Sequence, residues 1–261
     1  QERWNKYGKD SITAFEMNPE NFIIEVESLS NQRMSIIKSM GNLEGKKILE
    51  FGSGRGELSV ALSKLGGKVT GIDVGIDLVK LAKKTADLNR VECNFSVGNV
   101  CELNFNDESF DFVVGNAILH HLSEKELKEA VVEAYRVLKT GGSAIFSEPI
   151  ENSDIFNFIQ NLFPVGNPKN KQYRPSILQR KKWKFYLEKA DDRALSVKEL
   201  EKAKGDFRKV SFEYSGMLVR LGRIVTDKKV VILLNEADAI LTRDKSPLKR
   251  LSQRVLVTFL K

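Results

Sequence analysis

The chain has 261 residues, 41% of them hydrophobic and 30% charged, which supplies one large core and excludes a disordered chain. Its +7 formal charge, 42 basic against 35 acidic residues, is an excess on a mixed surface that permits an anionic partner without requiring one. The longest uninterrupted aliphatic run, Val230 to Leu234, is far short of the roughly 20 apolar residues that a spanning helix needs, so no membrane span is expected.

The first residues, Gln1 to Lys6, hold no apolar signal region, and the chain reads as a soluble, cytoplasmic protein; without an initiator Met it reads as a processed or truncated form. From Lys46 to Ser147 short apolar runs alternate with amphipathic stretches, the pattern of repeated βα units on a parallel sheet. Lys47 to Phe51 reads as a first strand, Gly52 to Gly56 as a glycine-rich turn, Glu57 to Leu65 as a helix and Lys68 to Asp73 as a second strand. Ile76 to Leu88 follows as a helix with Val79, Ala82 and Ala86 on one face. Val91, Cys93, Phe95 and Val97 alternate with polar residues as a third strand, and Phe110 to Val114 is apolar enough for a fourth strand buried on both faces. The two cysteines, Cys93 and Cys101, have neither a Cys-x-x-Cys spacing nor histidines placed as co-ligands, so reduced thiols are expected, with no disulfide and no metal.

Ser123 and Glu126 form a capping-box pair opening a helix whose Leu127, Ala130, Val131, Ala134 and Leu138 keep helical spacing up to Gly141-Gly142. Ser143 to Ser147 is a fifth strand. Beyond Pro149 the rhythm breaks, and only Arg208 to Tyr214 and Gln253 to Lys261 read again as strands.

The turn Gly52-Ser53-Gly54-Arg55-Gly56 joins a strand to a helix, where glycines allow positive φ and let a ligand approach the amides of the helix N-terminus. Its Gly-x-Gly-x-Gly spacing differs from the Gly-x-Gly-x-x-Gly of dinucleotide binders. Asp73, ending the second strand, can accept hydrogen bonds from both hydroxyls of a ribose. Further elements follow at Gly98-Asn99-Val100 and at Asp111 to Leu122, which includes Asn116-Ala117-Ile118-Leu119-His120-His121.

On these four ordered motifs, over about 100 residues, the chain resembles the class I S-adenosylmethionine (SAM)-dependent methyltransferases, and within them the small-molecule group that includes the quinone-biosynthesis enzymes. The resemblance implies an α/β fold with a Rossmann-like, seven-stranded, mostly parallel sheet, an antiparallel last strand and helical cap insertions. It implies SAM as the cofactor, with S-adenosylhomocysteine as product. Cofactor contacts fall on Glu50, Gly52, Ser53, Gly54 and Gly56 in the first motif, on Asp73 with Val74 at the ribose, and on Asn99 with Val100 at the adenine. Asn116 and Ala117 would lie below the sulfonium. Asn99 stands where the family commonly has Asp, and its carbonyl can still accept from the adenine amino group; Gly75 stands where Ser is frequent.

A looser likeness over the last 110 residues gives the expected organisation: residues 1–42 a helical lid segment, 43–149 the SAM-binding core, 150–206 a cap insertion, and 207–261 strands six and seven with a helical insertion at about 217–250. Trp4, Tyr7 and Phe15 are lid candidates, or else anchors of a packed helix. Arg174, Trp183 and Tyr186, in a stretch that interleaves bases with aromatics, are acceptor-contacting candidates, or else a solvated cap helix.

His121, and with less support His120, are candidate general bases at the edge where open α/β sheets bind ligands; a pocket-wall role is the alternative. The function expected is methyl transfer from SAM to an O or N atom of a small biosynthetic metabolite, which could be anionic. Two other readings are an RNA methyltransferase using the basic cap and a non-catalytic SAM-binding module. The first is opposed by Asn116-Ala117-Ile118-Leu119, where base-amino enzymes carry an Asn/Asp-Pro-Pro-Tyr type motif; the second is opposed by the intact glycine turn and Asp73.

Overall fold

The computed structural model describes residues 2–150, 195–218, 228–242 and 246–261. Helices α1 (Glu2–Met17) and α2 (Asn31–Met40) lead into β1 (Lys47–Phe51), α3 (Glu57–Lys64), β2 (Lys68–Asp73), α4 (Ile76–Leu88), β3 (Cys93–Val97) and β4 (Phe110–Asn116). Helix α5 (Glu124–Val137), β5 (Leu138–Pro149), α6 (Val197–Lys202), β6 (Lys209–Ser215), α7 (Lys228–Leu241) and β7 (Arg254–Leu260) complete the chain. Two compact units result: Gln1–Glu148 with Val197–Phe212 and Leu256–Lys261, and Pro149–Ser196 with Glu213–Val255.

The sheet has seven strands in the order β3-β2-β1-β4-β5-β7-β6. Strands β1 to β5 pair in parallel. Strand β7 runs antiparallel to both its neighbours: Lys261 N–H donates to Gly142 O and Ile150 N–H to Gln253 O on the β5 side, while Arg208 N–H donates to Leu260 O and Gln253 N–H to Ser215 O on the β6 side. The strand order reverses between β1 and β4, and the crevice at their C-terminal ends is where such sheets bind ligands.

Ile48, Leu49, Phe51, Val113 and Val114 are fully buried, as expected of strands covered on both faces. Ile36, Ile37 and Met40 of α2 join Leu58, Val60, Ala61 and Leu62 of α3 and Val79, Ala82 and Ala86 of α4 in one cluster. The capping box of α5 forms, with Ser123 Oγ accepting Glu126 N–H and Glu126 Oε2 accepting Ser123 N–H.

Several boundaries differ from those expected from the sequence. Helix α5 stops at Val137, because Leu138 is already extended and pairs with Phe110; the register then jumps to Phe112 with Ser143, so β5 begins before the glycine pair. Strand β3 starts at Cys93, and Val97 at its end is half exposed where alternation placed it inward, since β3 is an edge strand. Strands β6 and β7 begin one residue later than expected.

Candidate functional site

The glycine turn leaves β1 in a conformation that side chains resist. Gly52, Gly54 and Gly56 have φ of 65°, 52° and 83°. A Cβ on Gly52 would sit 2.8 Å from Ile118 Cδ1, and one on Gly56 3.1 Å from the Ala82 backbone. Positive φ and close approach both require glycine here.

Asp73 fastens this turn to the rest of the site. Its Oδ2 accepts Gly54 N–H at 2.9 Å and its Oδ1 accepts Gly75 N–H at 2.8 Å, while its carbonyl accepts Gly98 N–H at 3.1 Å. Burial pushes the Asp73 carboxyl up, and the two amide hydrogen bonds oppose that shift. A carboxylate offers about four lone-pair positions, so two remain for a ligand's hydroxyls.

Glu50 lies buried beneath the turn and accepts from Ser59 Oγ. Burial raises its carboxyl to about 8, against the opposing pull of the Ser59 bond and the Arg33 charge. Arg33 of α2 and Arg55 of the turn both pair with Glu57 at the start of α3. The sequence reading did not single out Arg33; only the packing of α2 brings it here.

Two buried polar atoms line this edge without a hydrogen-bond partner among the described residues: Ser53 Oγ and Asn116 Oδ1. Such atoms are costly unless something completes them. Ala117 has φ of 58°, a strained value for a residue with a side chain, and is held there by its N–H to Ser147 O at 2.9 Å. Asn99 Oδ1 accepts Cys101 N–H at 3.0 Å, leaving one lone pair, and Val100 is buried. Val74, Ile76 and Val97 expose apolar surface at the ends of β2 and β3 and the start of α4. Apolar surface beside Asp73, with unpaired polar atoms across the turn, suits a nucleoside bearing a polar amino-acid tail, so the residues present fit SAM.

After β4 a single turn carries both histidines. His120 is buried, and its Nδ1 lies 2.9 Å from Glu148 Oε2. Glu148 also accepts the N–H groups of Ile118 and Leu119 on Oε1, at 2.8 and 2.9 Å, and that of His120 on Oε2 at 3.4 Å. His121 stacks on His120 at 3.9 Å between ring centroids and takes Trp4 of α1 edge-on at 4.9 Å. In the sequence Glu148 stands out only through Glu148-Pro149-Ile150, part of the looser C-terminal likeness, and has no assigned role there; the further signal is a carboxylate directly after the apolar run Ala144 to Phe146.

Of the lid candidates, Trp4 reaches His121, and Tyr7, half exposed, packs edge-on against Trp4 at 6.4 Å. Phe15 packs on Phe22 at 5.0 Å, in the anchoring role. Arg174, Trp183 and Tyr186 lie outside the described residues. An open groove of about 1250 Å³ lined by Lys47, Lys68, Cys93 and Phe105 lies toward the starts of β1 and β2, and gathers none of the cofactor or base candidates. Burial raises both cysteine thiols to about 11, so neither is an activated nucleophile.

Among known families, the methyltransferase domain matches residues 48–142. The chain is similar to the ubiquinone biosynthesis O-methyltransferase of Coxiella burnetii, 28% identical over 186 residues that span 68% of this chain and 73% of that one. It is similar to the demethylmenaquinone methyltransferase of Staphylococcus aureus, 36% identical over 132 residues, 49% of this chain and 53% of that one. In fold it is similar to phosphoethanolamine N-methyltransferase 2 of Haemonchus contortus, a structure in complex with phosphomonomethylethanolamine and S-adenosylhomocysteine, with a TM-score of 0.57 at 18% identity, covering 88% of this chain and 52% of that one.

Proposed function

We propose that residues 48–142, which match the methyltransferase domain, form the SAM-binding core of a class I SAM-dependent methyltransferase, and that this chain methylates a hydroxyl oxygen of a small aromatic metabolite of the quinol type. The observation that carries the reading is Asp73, whose carboxylate ties the glycine turn to the end of β2 with lone pairs to spare. Two of the similar chains bear names from quinone biosynthesis, one of them an O-methyltransferase, which favours an aromatic hydroxyl over an amine.

SAM brings a charged, activated methyl group, so the protein's work is to align the acceptor and exclude water. Gly52, Ser53, Gly54 and Gly56 hold the amino-acid tail, with Ser53 Oγ gaining the partner it lacks; Asp73 and Val74 hold the ribose, and Asn99 with Val100 the adenine. Asn116 and the strained Ala117 support the reacting centre. His120, aligned by Glu148, is the base that takes the acceptor's proton, and His121 under Trp4 forms the wall.

Glu50 adds a pH dependence. With its carboxyl raised to about 8, Glu50 is mostly protonated at neutral pH in the free protein. A cationic ligand beside it favours the ionised form, so binding releases a proton. SAM affinity should therefore rise between about pH 6 and pH 8 and level off above, and Glu50→Gln should remove that slope; calorimetry in buffers of different ionisation heat reads the proton release.

The acceptor class is tested by incubating the protein with methyl-labelled SAM and separate small-molecule and RNA fractions of a cell extract. Label in a small aromatic ether is expected. Label in RNA would favour the nucleic-acid reading, which the missing stacking motif opposes.

A further inference from the structure

We propose that Glu148 is a positioning residue for methyl transfer, fixing His120 as the tautomer whose Nε2 accepts the acceptor's proton; this rests on reading His120 as the base. Glu148 is fully buried near the end of β5. A carboxylate there is tolerated only when its lone pairs are met. Four donors meet them: the N–H groups of Ile118, Leu119 and His120, and the His120 ring.

An ionised carboxylate only accepts, so Nδ1 must carry the proton in this pair. In a neutral imidazole that leaves Nε2 as the acceptor nitrogen, and Nε2 bonds to no described residue. The same carboxylate stabilises the imidazolium once the proton arrives. The acceptor's O–H proton moves to Nε2, the oxygen's electron pair forms the bond to the methyl carbon, and the pair of the broken C–S bond stays with sulfur. The products are a methyl ether, S-adenosylhomocysteine and an imidazolium that returns its proton to water. Among the described residues, the charged or titratable groups around His120 are Glu148 from β5, His121 beside it in the turn and, across Trp4 of α1, Arg3 and Tyr7.

Glu148→Gln separates this role from simple support of the turn. The amide oxygen can still accept from Ile118 and Leu119, but its NH₂ faces Nδ1 and drives the ring proton to Nε2. In protein labelled with ¹⁵N-histidine, long-range nitrogen–proton NMR should show His120 as the Nδ1–H tautomer in the wild type and the Nε2–H tautomer in Glu148→Gln. With catechol as the probe acceptor, kcat should fall by at least about a hundredfold while the dissociation constant for SAM and the KM for catechol stay within about threefold. His120→Gln should lose as much, and the double variant no more. An Nε2–H tautomer in the wild type, or losses that add in the double variant, would overturn the proposal. If His120→Gln keeps full activity the base reading fails with it; if His120→Gln is inactive and Glu148→Gln is not, this proposal alone fails.

Discussion

Asp73→Ala should weaken SAM binding by about 1.5 to 3 kcal/mol, roughly 10- to 150-fold, the range for losing a charged hydrogen-bond partner. Two losses combine. The ribose hydroxyls lose their acceptor, and the N–H groups of Gly54 and Gly75 lose the oxygens that now hold them at 2.9 and 2.8 Å. The turn must then be ordered by the ligand itself, which subtracts from affinity. Asp73→Asn keeps one acceptor oxygen and should fall between wild type and Ala. Calorimetric titration measures both; equal affinity in wild type and Asp73→Ala would remove Asp73 from the site.

Glu148→Leu should destabilise the fold by about 3 to 5 kcal/mol, the range for removing one partner of a buried charged cluster. Leucine fills comparable space but accepts nothing, leaving the amides of Ile118, Leu119 and His120 and the His120 ring without their oxygen. Against a typical total of about 5 to 15 kcal/mol this is a large share. Thermal unfolding should shift down by on the order of 10 °C, whereas Glu148→Gln should stay close to wild type. If Leu and Gln variants unfold together, Glu148 does not clamp the turn.

The strands and helices from Lys47 to Ser147 were legible because each is short, strongly periodic and punctuated by glycine, and the Ser123–Glu126 box marks the start of α5 through purely local chemistry. The glycine turn and Asp73 were legible as cofactor candidates for the same reason: they sit at strand ends, where position along the chain fixes position in space. What was not legible depends on contacts between distant residues. Glu148 meets residues 118 to 120 only once β5 lies beside β4, and Arg33 meets Glu57 across 24 positions. The rank of the two histidines was not legible either: the sequence favours His121, whereas the carboxylate found beside His120 supports His120, a distinction set by side-chain packing and not by spacing. Phe15 shares the aromatic character of Trp4, but its direction along α1 sends it to Phe22.

The measurement that reaches the central claim most directly is a SAM titration of the wild-type protein followed by amide hydrogen exchange, residue by residue. One site per chain, with protection concentrated at 52–56, 73–75 and 98–100, is the expected result. Absence of binding, or protection confined to the groove beside Lys47 and Lys68, would contradict it.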